Sequence, residues 1–158
     1  MIIISDTSVI TNLIQLHALS LLEKLFGRVI IPKKVYGELG KLPQQKEIID
    51  QSQGIEVRAI SDKKLYTKLV NSLDPGEAEA ITLAVELEAD LLLIDEKKGR
   101  KIAEAQGVSI TGLLGILIEA KEDGLLKEIK PLLDKLIYEV GFRIHPKLYQ
   151  AVLIEAGE

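Results

Sequence analysis

The sequence has no cysteine and no tryptophan, a single methionine and two phenylalanines. Without cysteine there is no disulfide framework, no thiolate nucleophile and no thiolate-bound zinc. Long apolar runs are also missing, and nothing approaches the ~20 residues a helix needs to cross a bilayer. The opening Met-Ile-Ile-Ile is too short for the core of a signal peptide, and no basic segment precedes it. Glycine-rich loops are absent in the forms that carry chemistry. Neither GxGxxG nor GxxxxGK[ST] occurs, which weighs against dinucleotide binding and P-loop nucleotide hydrolysis. No GxSxG elbow is present for a serine hydrolase. An excess of positive charge is missing as well: 20 Lys and Arg face 24 Asp and Glu, a net charge of −4. That balance argues against a broadly basic, nucleic-acid-coating surface but leaves room for a local basic rim.

What remains is a chain of 158 residues, 47% hydrophobic and 28% charged. Those proportions describe a globular protein able to bury roughly two-thirds of its unfolded surface. A cytoplasmic enzyme or binding protein, without a membrane, is the expectation. Residues 1–158 read as one domain, with 125–158 as a helical C-terminal part.

Short runs rich in Ile, Val and Leu alternate with segments of helical period. Strands are expected over Met1–Ser5, Arg28–Ile31, Ile55–Ile60, Leu91–Ile94 and Val108–Ile110. Helices are expected over Ser20–Phe26, Pro32–Leu39, Ser61–Ser72, Pro75–Glu88 and Glu96–Gln106, then Leu113–Glu122, Leu125–Val140 and Pro146–Ala156. Strands apolar on both faces and separated by helices imply a parallel sheet covered on each side. Gly40–Gln53 is polar and reads as a mobile excursion. The stripe Tyr149, Val152, Leu153 and Ala156 suits either a homodimer or partner surface or packing on its own domain. His17 and His145 have no ligand-pair spacing and read as structural.

In an open parallel sheet, ligands bind beyond the carboxyl ends of the strands. Asp6 follows the first strand and Asp95 follows Leu-Leu-Leu-Ile. Two more acids fall on inward faces. Val35, Glu38, Leu39 and Leu42 stand at i, i+3, i+4 and i+7, so Glu38 interrupts an apolar stripe. Glu77 shares a face with Ala80, Ile81 and Ala84, whereas Glu79 lies with Leu83 and Glu86 on a more mixed one. Each acid has an individual structural explanation. Asp6 and Asp95 can cap the helices that follow them, Glu77 completes a capping-box-like pair with Asp74, and Glu38 can pair with a lysine. One metal site accounts for all four together.

This ordered set resembles the PIN-domain family of metal-dependent nucleases. The resemblance is carried by Asp6 in IISDTSVI, Glu38 in VYGEL, Glu77 in LDPGEAEAITLA and Asp95 in LLLIDEKKGRKIAEAQGV. ITGLLGIL, residues 110–117, is similar to the fifth strand and next helix of an uncharacterised PIN-like branch. The matching segments span about three-quarters of the chain. The resemblance implies a three-layer α/β/α sandwich with a central parallel sheet and a helical C-terminal extension. It further implies an acidic pocket, Asp6, Glu38, Glu77 and Asp95, that binds Mg²⁺ or Mn²⁺ and hydrolyses single-stranded RNA. Hard cations of this kind prefer oxygen ligands. Many relatives are toxins, so an antitoxin protein is an expected partner. Two positions depart from the family pattern. Position 77 carries Glu where Asp is frequent, and Ile94 stands where a hydroxyl is common, which makes Glu96 the second choice for the fourth acid.

Around these acids, Thr7 and Ser8 are candidates to assist a bound water, and Lys97, Lys98, Arg100, Lys101 and Thr111 to meet RNA phosphates. A solvated helix face is the favoured account of the basic residues, and close helix–sheet packing that of Thr111, Gly112 and Gly115. A phosphatase of the haloacid-dehalogenase type also places an Asp after its first strand, but needs a second Asp where Ser8 stands. A PIN-like module that binds RNA or protein without cutting is the non-enzymatic alternative.

Overall fold

The computed structural model describes residues 1–158. At its centre five parallel strands, β1 (Ile3–Ser5), β2 (Val29–Pro32), β3 (Ile55–Arg58), β4 (Leu91–Leu93) and β5 (Ile110–Thr111), lie in the order β3-β2-β1-β4-β5. Ten α-helices flank them: α1 (Thr7–Gln15), α2 (Ser20–Phe26), α3 (Lys33–Leu39), α4 (Pro43–Gln51) and α5 (Lys63–Leu69), then α6 (Pro75–Glu86), α7 (Lys97–Ala105), α8 (Leu113–Glu122), α9 (Lys130–Lys135) and α10 (Pro146–Glu155). The three-layer α/β/α sandwich is the arrangement anticipated from the sequence.

Alternation along each strand divides the core in two. Ile3, Val29, Ile31 and Leu93 enter one cluster with residues of α1, α2, α8 and α9. Ile4, Ile30, Leu92 and Ile94 enter the other, against α6 and the Ala103 face of α7. With both faces covered, the strands are apolar throughout, and each fully buried Ile or Leu contributes about 1.5–3 kcal/mol of transfer free energy. The second layer is organised by α6, which touches α3, α5, α7, β1, β2 and β4. Its run from Ala78 to Ala84 is buried on all sides, so small residues alternate with Ile81 and Leu83 to admit so many neighbours.

Two segments differ from the expectations, and a third decides between two alternatives. Gly40–Gln53 contains the ordered helix α4, started by Pro43 and anchored by buried Ile49. The expected helix over Leu125–Val140 begins only at Lys130 and ends in a π-helical turn, Leu136–Val140. Pro131 has no N–H to continue a helix arriving from residue 127, so the segment must restart there. The stripe on α10 packs on its own domain: Val152 and Leu153 join the core, and Tyr149 donates to Asp134 at 2.6 Å. No helix is long and apolar enough to cross a membrane.

Candidate active site

Strand order reverses at the β1–β4 pair, since the chain leaves β1 toward β2 and leaves β4 toward β5. A parallel sheet opens a crevice beyond the carboxyl ends of two such strands. Ser5 pairs with Leu93, and the Asp6 N–H donates to the Leu93 carbonyl at 3.0 Å. Asp6 and Asp95 therefore emerge at the mouth of this crevice.

Four elements deliver the acids. Asp6 is 1% exposed and caps α1, accepting from the Val9 N–H at 3.2 Å, with the Ser8 hydroxyl 3.4 Å from both carboxylate oxygens. Glu38 projects from α3 and accepts a hydrogen bond from the Thr7 hydroxyl. Glu77 stands in the first turn of α6, whose N-cap, Asp74, accepts from the Glu77 N–H at 2.8 Å. Glu96 caps α7 by accepting from the Gly99 N–H at 2.8 Å. A cleft of about 410 Å³ is lined by Asp6, Glu38, Glu77 and Glu96 together with Asp74, Thr7, Ser8, Thr11 and Asn12. No apolar residue lines it.

Asp95 stands at the boundary of this cleft. It lines an adjoining groove of about 1210 Å³, which shares Ser8, Asn12 and Glu96 with the acidic cleft. The sequence suggested that Asp95 caps the helix after it; Glu96 has that role instead. Asp95 reaches across to the start of α8, accepting from the Leu113 N–H at 2.9 Å. The Arg100 guanidinium lies alongside and donates to the Ile94 carbonyl at 2.8 Å, so it ties α7 to the end of β4. Lys97, Lys98 and Lys101 are exposed on α7, and Thr111 lines the groove.

Electrostatics mark the same residues. Burial pushes the Asp6 carboxyl up to about 7, against the pull of the Val9 N–H, and the charge of Asp95 adds to the rise. Burial likewise pushes Glu77 up to about 8, reinforced by the Asp74 carboxyl and the charge of Glu96. Asp95 is raised chiefly by burial, with Leu113 N–H and Arg100 opposing. Glu96 is lowered, first by the Gly99 N–H. Raised carboxyls gathered in one cleft are the pattern of a functional site.

The donor set suits a hard divalent cation: every side chain offers oxygen, and several are negatively charged. Glu77 Oε2 and Asp95 Oδ2 are buried without a hydrogen-bond partner, leaving lone pairs unengaged. The acids are not drawn into a finished chelate, for no three of them already stand as one ligand group.

Periodicity missed two contributors. Asp74 was read as a cap, which it is, but it also lines the cleft and raises its neighbours. Glu79, assigned to a mixed face, is 8% exposed and more buried than Glu77. It points away from the cleft and accepts from the Lys34 N–H at 2.9 Å, at the first turn of α3. The Asp-Pro that starts α6 signalled the first; nothing local signalled the second.

A family model described as a PIN domain matches residues 2–158. The chain belongs to the PIN-domain family. Comparisons with curated proteins and with solved structures gave no match. Membership supports a nuclease-type fold, and PIN domains typically use divalent metal ions. In this PIN domain the acids anticipated at positions 6, 38 and 77 line one cleft, Glu96 joins them, and Asp95 adjoins.

Proposed function

We propose that this PIN domain is a Mg²⁺- or Mn²⁺-dependent ribonuclease that hydrolyses phosphodiester bonds of single-stranded RNA. The observation that carries the reading is the cleft itself. Five acids from four separate stretches of chain share it, and two buried carboxylate oxygens at its edge lack any partner. Asp6, Glu38, Glu77 and either Asp95 or Glu96 would hold the cation. A bound divalent ion supplies Lewis acidity toward phosphate oxygens and a water of lowered pKa.

The chain's own residues do the rest. Near neutral pH Asp6 and Glu77 retain protons, and they release them as a cation takes their place. Thr7 orients Glu38, and Arg100 fixes the strand end from which Asp95 projects. Lys97, Lys98 and Lys101 give the acidic cleft a local cationic flank for RNA phosphates, at the cost of salt sensitivity.

The test is cleavage of a fluorescent single-stranded RNA with Mn²⁺ or Mg²⁺, in the wild type and in Asp6→Asn and Asp95→Asn. Cleavage that disappears in excess EDTA and in both variants supports the proposal. Undiminished cleavage under either condition removes it.

A second reading, an interaction module of PIN-like fold, draws on the larger groove. Leu114, Ile118, Phe142 and Val152 give it an apolar floor, while Glu119, Glu122, Asp123 and Glu155 make its rim acidic. A basic amphipathic protein segment, such as an antitoxin would provide, suits that combination better than nucleic acid does. RNA retention without cutting, or protein capture without nuclease activity, would favour this reading.

A further inference from the structure

Two sets stand out among the twelve glycines of this chain. Gly27, Gly107, Gly124, Gly141 and Gly157 have φ between 76° and 85°, and a side chain at any of them would meet open space. Backbone conformation accounts for those five. Gly76, Gly99, Gly112 and Gly115 differ on both counts, because none has a positive φ and none has room for a Cβ; at Gly115 the neighbour is the Thr111 hydroxyl.

At Gly76 and Gly112 what occupies that room is an acid of the site. A Cβ on Gly76, in the first turn of α6, would stand 2.6 and 2.7 Å from the two carboxylate oxygens of Glu38. On Gly99, in the first turn of α7, it would stand 2.7 Å from the Ile94 Cδ1 and 3.1 Å from Glu77 Oε2. On Gly112, which caps α8, it would collide with Asp95 Oδ1 and lie 3.0 Å from an Arg100 nitrogen. Each acid thus rests on bare backbone of the next element round the cleft: α3 on α6, α6 on α7, and the end of β4 on the start of α8. Alanine is a far better helix former than glycine, so at two of these positions local propensity is given up.

We infer that Gly76 and Gly112 are positioning residues of the site, because the volume of their missing side chains is where Glu38 and Asp95 place their carboxylates; at Gly99 the room is taken first by Ile94, with Glu77 in tight contact beside it. The steric part stands on the coordinates alone, and its consequence for cation binding rests on the metal-nuclease reading. At Gly76 and Gly112 the atoms in the way are the ends of flexible side chains, so alanine displaces a carboxylate and leaves the backbone in place. Loss of fold is therefore not the expected result; loss of register among the acids is.

Gly76→Ala tests this in the full-length protein with two readouts. The Glu38 carboxyl ¹³C resonance, followed by NMR without metal, is expected to move, while the melting temperature stays level or rises. Mn²⁺ affinity, measured by electron paramagnetic resonance, is expected to fall at least about ten-fold, the scale seen when the support of a metal ligand is lost. Gly76→Ala with Glu38→Asp, which withdraws the carboxylate by one methylene, should recover most of that affinity. Gly37→Ala, on open space beside Glu38 in sequence, should change neither. An unmoved Glu38 resonance in Gly76→Ala overturns the inference, and so does a moved one with Mn²⁺ affinity intact. If the wild type binds no Mn²⁺, the NMR readout still decides the steric role, and only the metal reading fails.

Discussion

Thr7 gives its hydroxyl hydrogen bond to Glu38, joining the first residue of α1 to a side chain of α3 across 31 positions of sequence. Because the acceptor is a carboxylate, such a bond is worth about 1.5–3 kcal/mol, more than a neutral pair. It fixes one oxygen of a carboxylate that lines the cleft. Thr7→Val keeps the shape and removes the donor. Mn²⁺ affinity is expected to fall roughly ten- to a hundred-fold, whereas Thr7→Ser retains it. Isothermal titration of the three proteins checks this, and equal affinities would assign Thr7 to the helix start alone.

Asp6 is the most buried of the acids and the cap of α1, and these two roles pull stability in opposite directions. Its carboxyl titrates at about 7 in the fold against an ordinary 3.8. The native state therefore holds the proton longer than the unfolded chain does. Stability falls as pH rises from about 4 to about 7, and above that window the full cost of the buried charge is present. Asparagine keeps a cap acceptor for Val9 and carries no charge. Asp6→Asn is expected to stabilise the metal-free protein at pH 8 by on the order of a few kcal/mol, and to show little gain at pH 4. Urea unfolding in EDTA at the two pH values measures it. A destabilised variant at pH 8 would show that the charge is compensated within the fold.

Much of the architecture was legible because strands buried on both faces announce themselves: Ile3, Ile4, Ile30, Ile31, Leu92 and Leu93 admit no other reading at that length. The edges were less clear. β5 keeps only Ile110 and Thr111, and α4 has a single buried isoleucine in a polar sequence. At the site, Asp6, Glu38 and Glu77 could be found because each broke an apolar pattern or ended a strand. Asp95 against Glu96 could not be decided, since after β4 Asp95 lines only the larger groove while Glu96 lines both that groove and the acidic cleft. Glu79 stayed hidden because α6 is buried nearly all round. An apolar stripe points to a single neighbour only when the opposite face meets water.

Glu79 also carries a prediction of its own. Its carboxylate, held on α6, is the only side-chain acceptor at the N-terminus of α3, where Pro32 offers none. Removing an N-cap acceptor costs about 0.5–2 kcal/mol, and here the change also leaves a polar void between two helices. Glu79→Ala is expected to lower stability by about 2 kcal/mol, with Glu79→Gln losing less because its amide oxygen still accepts from Lys34. Since α3 carries Glu38, Mn²⁺ affinity should follow the same order. Denaturant unfolding and metal titration of the two variants test both statements. Identical behaviour of Ala and Gln would remove the capping role.

If the cleft takes a cation as proposed, its binding is linked to proton release, and the direction follows from the raised carboxyls. Ligating carboxylates must be ionised. Asp6 near 7 and Glu77 near 8 are protonated in acid, so a cation must displace protons there, and the competition fades as pH rises past those values. Apparent Mn²⁺ affinity is therefore expected to climb from pH 6 to pH 8.5 and then level, whereas two ordinary carboxylates would already be flat across that range. Stabilisation by a hundred-fold excess of Mn²⁺ over its dissociation constant amounts to about 2.7 kcal/mol at saturating pH. Thermal unfolding with and without Mn²⁺ should show the melting temperature gain widening over the same interval. In Asp6→Asn the gain should shrink, and what slope is left belongs to Glu77. A gain that is constant from pH 6 upward would place the cation away from both residues.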